Sequence, residues 1–141
     1  MKLIYNSNKD GLELNSLKNK IDNKSKLIFL FLCENNRIFG AFIKAKIEVK
    51  HDAYIYDKDA FVFSLNNNKI YNNLIPDYSL RFYNDCPLKI GNNDQKNGFW
   101  LWKGNIDDRG LLNNPKAYDF QKNDELTDGH AKFLNLEIFE I

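Results

Sequence analysis

Apolar residues follow two periods along this chain. Leu14, Leu17 and Ile21 recur at i, i+3 and i+7, the stripe of a short amphipathic helix. Glu13 stands near its start, where a carboxylate complements the helix dipole, and Asp22-Asn23 ends it. Before the helix, Lys2 to Tyr5 reads as a short extended segment and Asn6 to Gly11 as a turn. After it the period changes to that of strands. Leu27 to Cys33 is continuously apolar, which predicts a strand buried on both faces. Glu34-Asn35-Asn36 is the hairpin turn, and Arg37 to Ile43 returns as the partner strand. Gly40 within that strand implies a bulge or a close backbone approach. In Ala60 to Leu65, Phe61, Phe63 and Leu65 share one face. Lys69 to Tyr71 extends the meander, Leu80 to Tyr83 and Leu88 to Ile90 are weaker strands, and Phe99 to Trp102 is a strong one. Phe133 to Ile141 closes the chain, with Leu134, Leu136 and Ile138 on one face and Asn135 and Glu137 on the other. Many short strands and one early helix predict a mostly β (α+β) domain, a β-sandwich or curled sheet with helical flanks.

Composition narrows this picture. The 141 residues include eleven Phe, seven Tyr and two Trp, aromatic bulk that builds a core and argues against disorder. No linker or repeat divides the chain, so residues 1–141 read as a single domain. Twenty basic against nineteen acidic residues leave a net charge of +1, which argues against a polyanion-binding domain and hence against a nucleic-acid partner. The apolar run before Cys33 comes too late for a signal peptide and is too short for a membrane span, so no direct membrane insertion is expected. Two cysteines, Cys33 and Cys86, suit a reducing compartment.

The chemistry on offer is sparse. His51 and His130 lack a second His or Cys at ligand spacing, so no metal is expected. Cys33 reads as an inert thiol in the most apolar strand, and a redox role for Cys86, before Pro87, would need a depressed pKa. Asp57-Lys58-Asp59 and Asp107-Asp108 lack the spaced oxygen ligands of a calcium loop and read as solvated turns. No nucleophile elbow, Walker loop or dinucleotide fingerprint appears, so no cofactor is expected. Trp100 and Trp102 alternate with Phe99 and Leu101. One pair should face the core, and the other offers a stacking platform without a basic stripe beside it. Residue by residue, the chain reads as a binding or structural domain rather than an enzyme.

The ordered set of motifs resembles the TLDc domain, the module of eukaryotic oxidation-resistance proteins, from about Leu3 to Glu140. Leu3-Ile4-Tyr5 followed by Asp10-Gly11-Leu12 looks like the family opening. Ile38-Phe39-Gly40-Ala41-Phe42 is similar to its Phe-Gly-small-aromatic strand, and Phe61-Val62-Phe63-Ser64-Leu65 to its Phe-x-Phe-Ser-Leu segment. Leu88 to Gly91 occupies the place of the Phe-Gly-Gly-Gly motif but keeps one glycine. Gly98 to Trp102, Asp107 to Gly110, Tyr118 to Phe120 and the ending with Glu137 before Ile138 resemble the rest. The Ser/Cys-rich stretch common in the family is here Leu111 to Asn114, which argues against a cysteine-based antioxidant role.

The resemblance implies a two-sheet antiparallel β-sandwich with short flanking helices. It also implies a non-catalytic interaction role: binding or regulating the vacuolar-type proton pump, in the cytoplasm or at endolysosomal or vacuolar membranes through that partner, with a link to oxidative stress. On this reading Gly40, Gly91 and Gly129 shape exposed loops. Contacts are placed at Asp57, Lys58 and Asp59 and at Asn92, Asn93 and Asp94. The alternatives are a scaffold subunit of another assembly and a weak hydrolase or redox enzyme using Glu137, His130 or Cys86.

Overall fold

The computed structural model describes residues 1–84, 87–91, 98–109 and 117–141. Its strands are β1 (Lys2–Asn6), β2 (Leu27–Cys33), β3 (Ile38–Ile43), β4 (Ala53–Ile55), β5 (Phe61–Ser64), β6 (Lys69–Asn72), β7 (Leu80–Phe82), β8 (Lys89–Ile90), β9 (Phe99–Trp102), β10 (Asn105–Asp107) and β11 (Phe133–Glu140). Two short helices, α1 (Ser7–Asp10) and α2 (Leu14–Ile21), follow β1. The strands form two antiparallel sheets, one in the order β1-β11-β2-β3-β5-β6 and the other β10-β9-β8-β7-β4. The expected sandwich is therefore present. Phe99 of the smaller sheet meets Phe31 and Phe39 of the larger one edge-on, with ring centroids 5.3 Å apart in both pairs. This geometry favours aromatic contact beyond the area it buries.

Asparagine makes the sharp corners. Asn35 and Asn36 take φ of 57° and 56° between β2 and β3, and Asn68 takes 50° between β5 and β6. Asn tolerates that left-handed region because its short side chain bonds nearby backbone. Lys103-Gly104, with φ of 47° and 78°, closes the β9–β10 hairpin, as two-residue turns with both φ positive do.

Several expectations are corrected. Asn6 to Gly11 is a helical turn: Asn6 accepts from the Asn8 N–H, and Asp10 Oδ2 accepts from the Asn6 N–H at 2.9 Å, a reciprocal cap. Glu13 sits at the N-cap of α2 without a side-chain cap bond. Strand β2 is buried on one face only: Leu27, Phe29, Phe31 and Cys33 are buried, while Ile28, Leu30 and Leu32 are half-buried. Leu134 does not share the face of Leu136 and Ile138. The register of β11 against β2 shifts between Phe133 and Asn135, and the extra residue of that bulge turns Leu134 to solvent. Gly40 is a paired strand residue rather than a loop former. A Cβ there would run into the Phe29 carbonyl and the Phe63 ring, so the close-approach reading holds and the ring of Phe63 covers the space a side chain would take. Strands β4 and β10 and helix α1 were not expected.

Candidate interaction surface

In a two-layer sandwich each sheet has one face turned away from the core, and the sequence decides what that face carries. On the larger sheet, β-alternation puts Ile138, Phe29, Ala41 and Val62 inside. The next cross-strand row is outside: Leu3, Phe139, Ile28, Phe42 and Phe61. A second outer row runs Glu137, Leu30, Gly40, Phe63 and Ile70. A third holds Asn135, Leu32 and Ile38, with the Leu65 N–H bonded to the Ile38 carbonyl. Phe61 and Phe63 do share a face as expected, and it is this outer one, while Val62 and Ser64 point inward. Leu65 and Ile70 are about 60% exposed and Leu3 is 45% exposed. Two shallow grooves cross the face. One of about 310 Å³ is lined by Phe61, Phe63, Leu65, Lys69 and Ile70, and one of about 160 Å³ by Leu30, Leu32, Ile38, Asn135 and Glu137. A contiguous apolar surface of this kind marks an interaction site more often than chance exposure does.

The outer face of the smaller sheet is built differently. One row crosses all five strands as Tyr54, Arg81, Lys89, Trp100 and Asp107. The Arg81 guanidinium lies 4.6 Å from the Tyr54 ring centre and 5.1 Å from that of Tyr83. It also donates to Asp52, with Nε 3.0 Å from Oδ1. Hydrogen bonding to Arg81 holds the Asp52 carboxyl below its ordinary pKa. The Lys89 ammonium lies 4.9 Å from both the Tyr83 and Trp100 rings, and Lys103 stands 5.5 Å from Trp102. Phe99 and Leu101 are buried, as expected, and Trp102 is exposed. Lys103 follows Trp102 directly in the chain, whereas Arg81 and Lys89 reach this face from the neighbouring strands β7 and β8. Only the register shows this, and no spacing rule could have found Arg81 or Lys89.

The paired acids are not all solvated. Asp57 is buried and accepts from the backbone N–H groups of Lys44 (2.6 Å), Ala45 (3.0 Å) and Asp59 (2.9 Å). It is a brace for the turn after β3, and only Lys58 and Asp59 of that expected contact trio are exposed. Asp108 is buried and accepts from Leu126 N–H, Thr127 N–H and Thr127 Oγ1 at 3.0–3.2 Å. Burial pushes its pKa from 3.8 to about 6; the Thr127 bonds oppose that rise, and nearby Asp124 adds to it. Glu125 is buried beside it, bonded by Tyr71 Oη (3.0 Å) and by the N–H groups of Gln121 and Lys122. Burial favours its neutral form, yet these bonds and Lys69 outweigh it and lower its pKa. Arg37 donates to the Leu126 carbonyl at 3.1 Å. These groups pin residues 121–127 as structure, and the long sequence separations hid them.

The other expected residues separate. Asp10 caps α1, and the Tyr5 hydroxyl donates to the Gly11 carbonyl at 2.6 Å. Phe39 and Ser64 are buried. Glu137 accepts from Asn6 Nδ2 at 3.3 Å, whereas His130 meets Asn35 Nδ2 at 2.9 Å and Glu34 at 3.9 Å. Glu137 and His130 thus have different partners among the described residues. Cys33 is buried, and burial first, then nearby carboxylates, push its thiol up to about 12, which suits an inert thiol. Gly91 has φ of +67°, and a Cβ there would lie 2.7 Å from Tyr118 Cδ2; it is buried and serves packing. Gly129 is exposed with open space around it. Cys86, Asn92, Asn93 and Asp94 lie outside the described residues. Among the described residues no group of three His, Cys, Asp or Glu could hold a metal ion, and no helix is long and apolar enough to cross a membrane.

The family model of the TLDc domain matches residues 1–141, the whole chain. No curated protein matches it.

Proposed function

The chain belongs to the TLDc domain family of oxidation-resistance-type modules, and from that premise we propose that it is a non-catalytic interaction domain that binds and regulates the vacuolar-type proton pump. The observation that carries this reading is the apolar outer face of the six-stranded sheet. Phe61, Phe63, Leu65 and Ile70 form a surface with shallow grooves that apolar side chains of a partner can fill. Burying such area on association supplies the driving force, and the aromatic residues are the natural anchors. Lys58 and Asp59 stand just before Phe61, at one end of this face, and supply a polar rim. The domain acts at the cytoplasmic side of pump-bearing membranes, where its link to oxidative stress passes through the partner.

The test is capture of purified pump by the immobilised full chain. Leu65→Asp with Ile70→Asp changes two exposed side chains and leaves the core intact. Wild type retains the pump, and the double variant weakens retention by at least about tenfold. Equal retention by both chains, or none by wild type, would sink the reading.

A further inference from the structure

The geometry points to a carboxylate-binding site at Lys89, on the sheet opposite the apolar face and independent of the pump reading. Buried charges are normally paired, because desolvating an ion is costly. The row across the smaller sheet obeys this on either side of Lys89: Arg81 is held by Asp52, and Asp107 is bonded by Arg109 at 3.0 Å. Lys89 differs. It is 9% exposed and its ammonium lies between two rings, yet no oxygen among the described residues accepts a hydrogen bond from it. The carboxylate that feels its charge, Asp52, is hydrogen-bonded to Arg81 instead, and ring faces attract a cation without supplying a carboxylate oxygen.

A single ammonium calls for a single negative charge, which fits a carboxylate better than a dianionic phosphate. The flanking rings fit the methylenes of an acidic side chain. The unit also repeats. Trp102 lies two residues beyond Trp100 on the same face of β9, with Lys103 against it. Alternate residues of a strand are spaced about 7 Å apart. An extended partner segment with acidic residues at every second position therefore presents carboxylates at the same interval, and we infer that such an acidic segment is the ligand.

The probe is the peptide acetyl-Glu-Thr-Glu-Thr-Glu-amide, added to the full chain and followed by NMR. Its Gln counterpart and inorganic phosphate serve as separate arms. The Glu peptide should shift the Lys89 ε-methylene and both indole N–H signals saturably, and the Gln peptide should not. Lys89→Met should weaken binding by about tenfold or more, Lys103→Met by about threefold, and Lys9→Met on α1 should leave it unchanged. If Lys89→Met loses its fold, the wild-type shift at the Lys89 ε-methylene decides. Absence of that shift, equal binding by folded Lys89→Met, or tighter binding of phosphate than of the Glu peptide would overturn the proposal.

Discussion

The two outward faces obey the same alternation and reach opposite chemistries. On the larger sheet the outer rows are aliphatic and aromatic, and their charged member, Glu137, sits beside Leu30. On the smaller sheet the outer row is built from cations and rings, and Arg81 and Lys89 are almost fully covered. The second face is largely paired from within: rings shelter its cations, Asp52 and Asp107 close pairs, and Lys89 is left with rings and no hydrogen-bonding carboxylate among the described residues. The first face packs only against its own neighbours, and Leu65 and Ile70 remain most exposed at its edge. The contrast separates a surface held by cation, ring and carboxylate pairs, with one charge left to match, from an apolar surface that gains by being covered.

The sharpest way to break the contrast is at Gly40. Phe63 lies over it, so a Cβ collides with that ring and with the Phe29 backbone. Gly40→Ala should cost about 3 kcal/mol, at the upper end for overpacking, read as a fall in the chemical denaturation midpoint. On the other face, Arg81→Met keeps the stem and removes the ring and carboxylate contacts. It should cost about 2 kcal/mol by the same assay. Leu65→Asp with Ile70→Asp should shift the midpoint by only about 0.5 kcal/mol per site, separating surface from stability.

A smaller effect concerns the buried Asp108, just after β10. The Asp108 pKa is raised on folding, from 3.8 to about 6. Between those values the folded chain holds more protons than the unfolded one, so this group adds stability as pH falls and removes it as pH rises through about 6. Denaturation midpoints of wild type minus those of Asp108→Asn, measured from pH 7 down to 4, should rise. A flat difference would show that Asp108 titrates normally.

Much of this architecture was legible in the sequence. A continuous apolar run located β2, its hairpin return located β3, and alternation located β5, β9 and β11, with Asn clusters marking the turns after β2 and β5. Which face of a strand is inner was harder. Phe61, Phe63 and Leu65 share a face, but only the sheet order shows that Val62 and Ser64 point inward. The bulge at Leu134 leaves no mark in a run of alternating apolar residues. Strands β4 and β10, of three residues each, are too short for a period to emerge. The buried role of Asp108 depends on the N–H groups of Leu126 and Thr127, and that of Asp57 on those of Lys44 and Ala45 besides the nearby Asp59, and no local pattern contains the distant ones. The family resemblance, carried by the ordered motifs, was legible from the sequence, whereas the interaction face needed the register.

Hydrogen exchange of the full chain, with and without purified vacuolar-type proton pump, reads directly which sheet face a partner covers. Amides of Phe61 to Asn72 should exchange more slowly in the presence of the pump, while those of β7 to β9 keep their free-state rates. Protection confined to β7 to β9, or no change in either sheet, would contradict the pump reading.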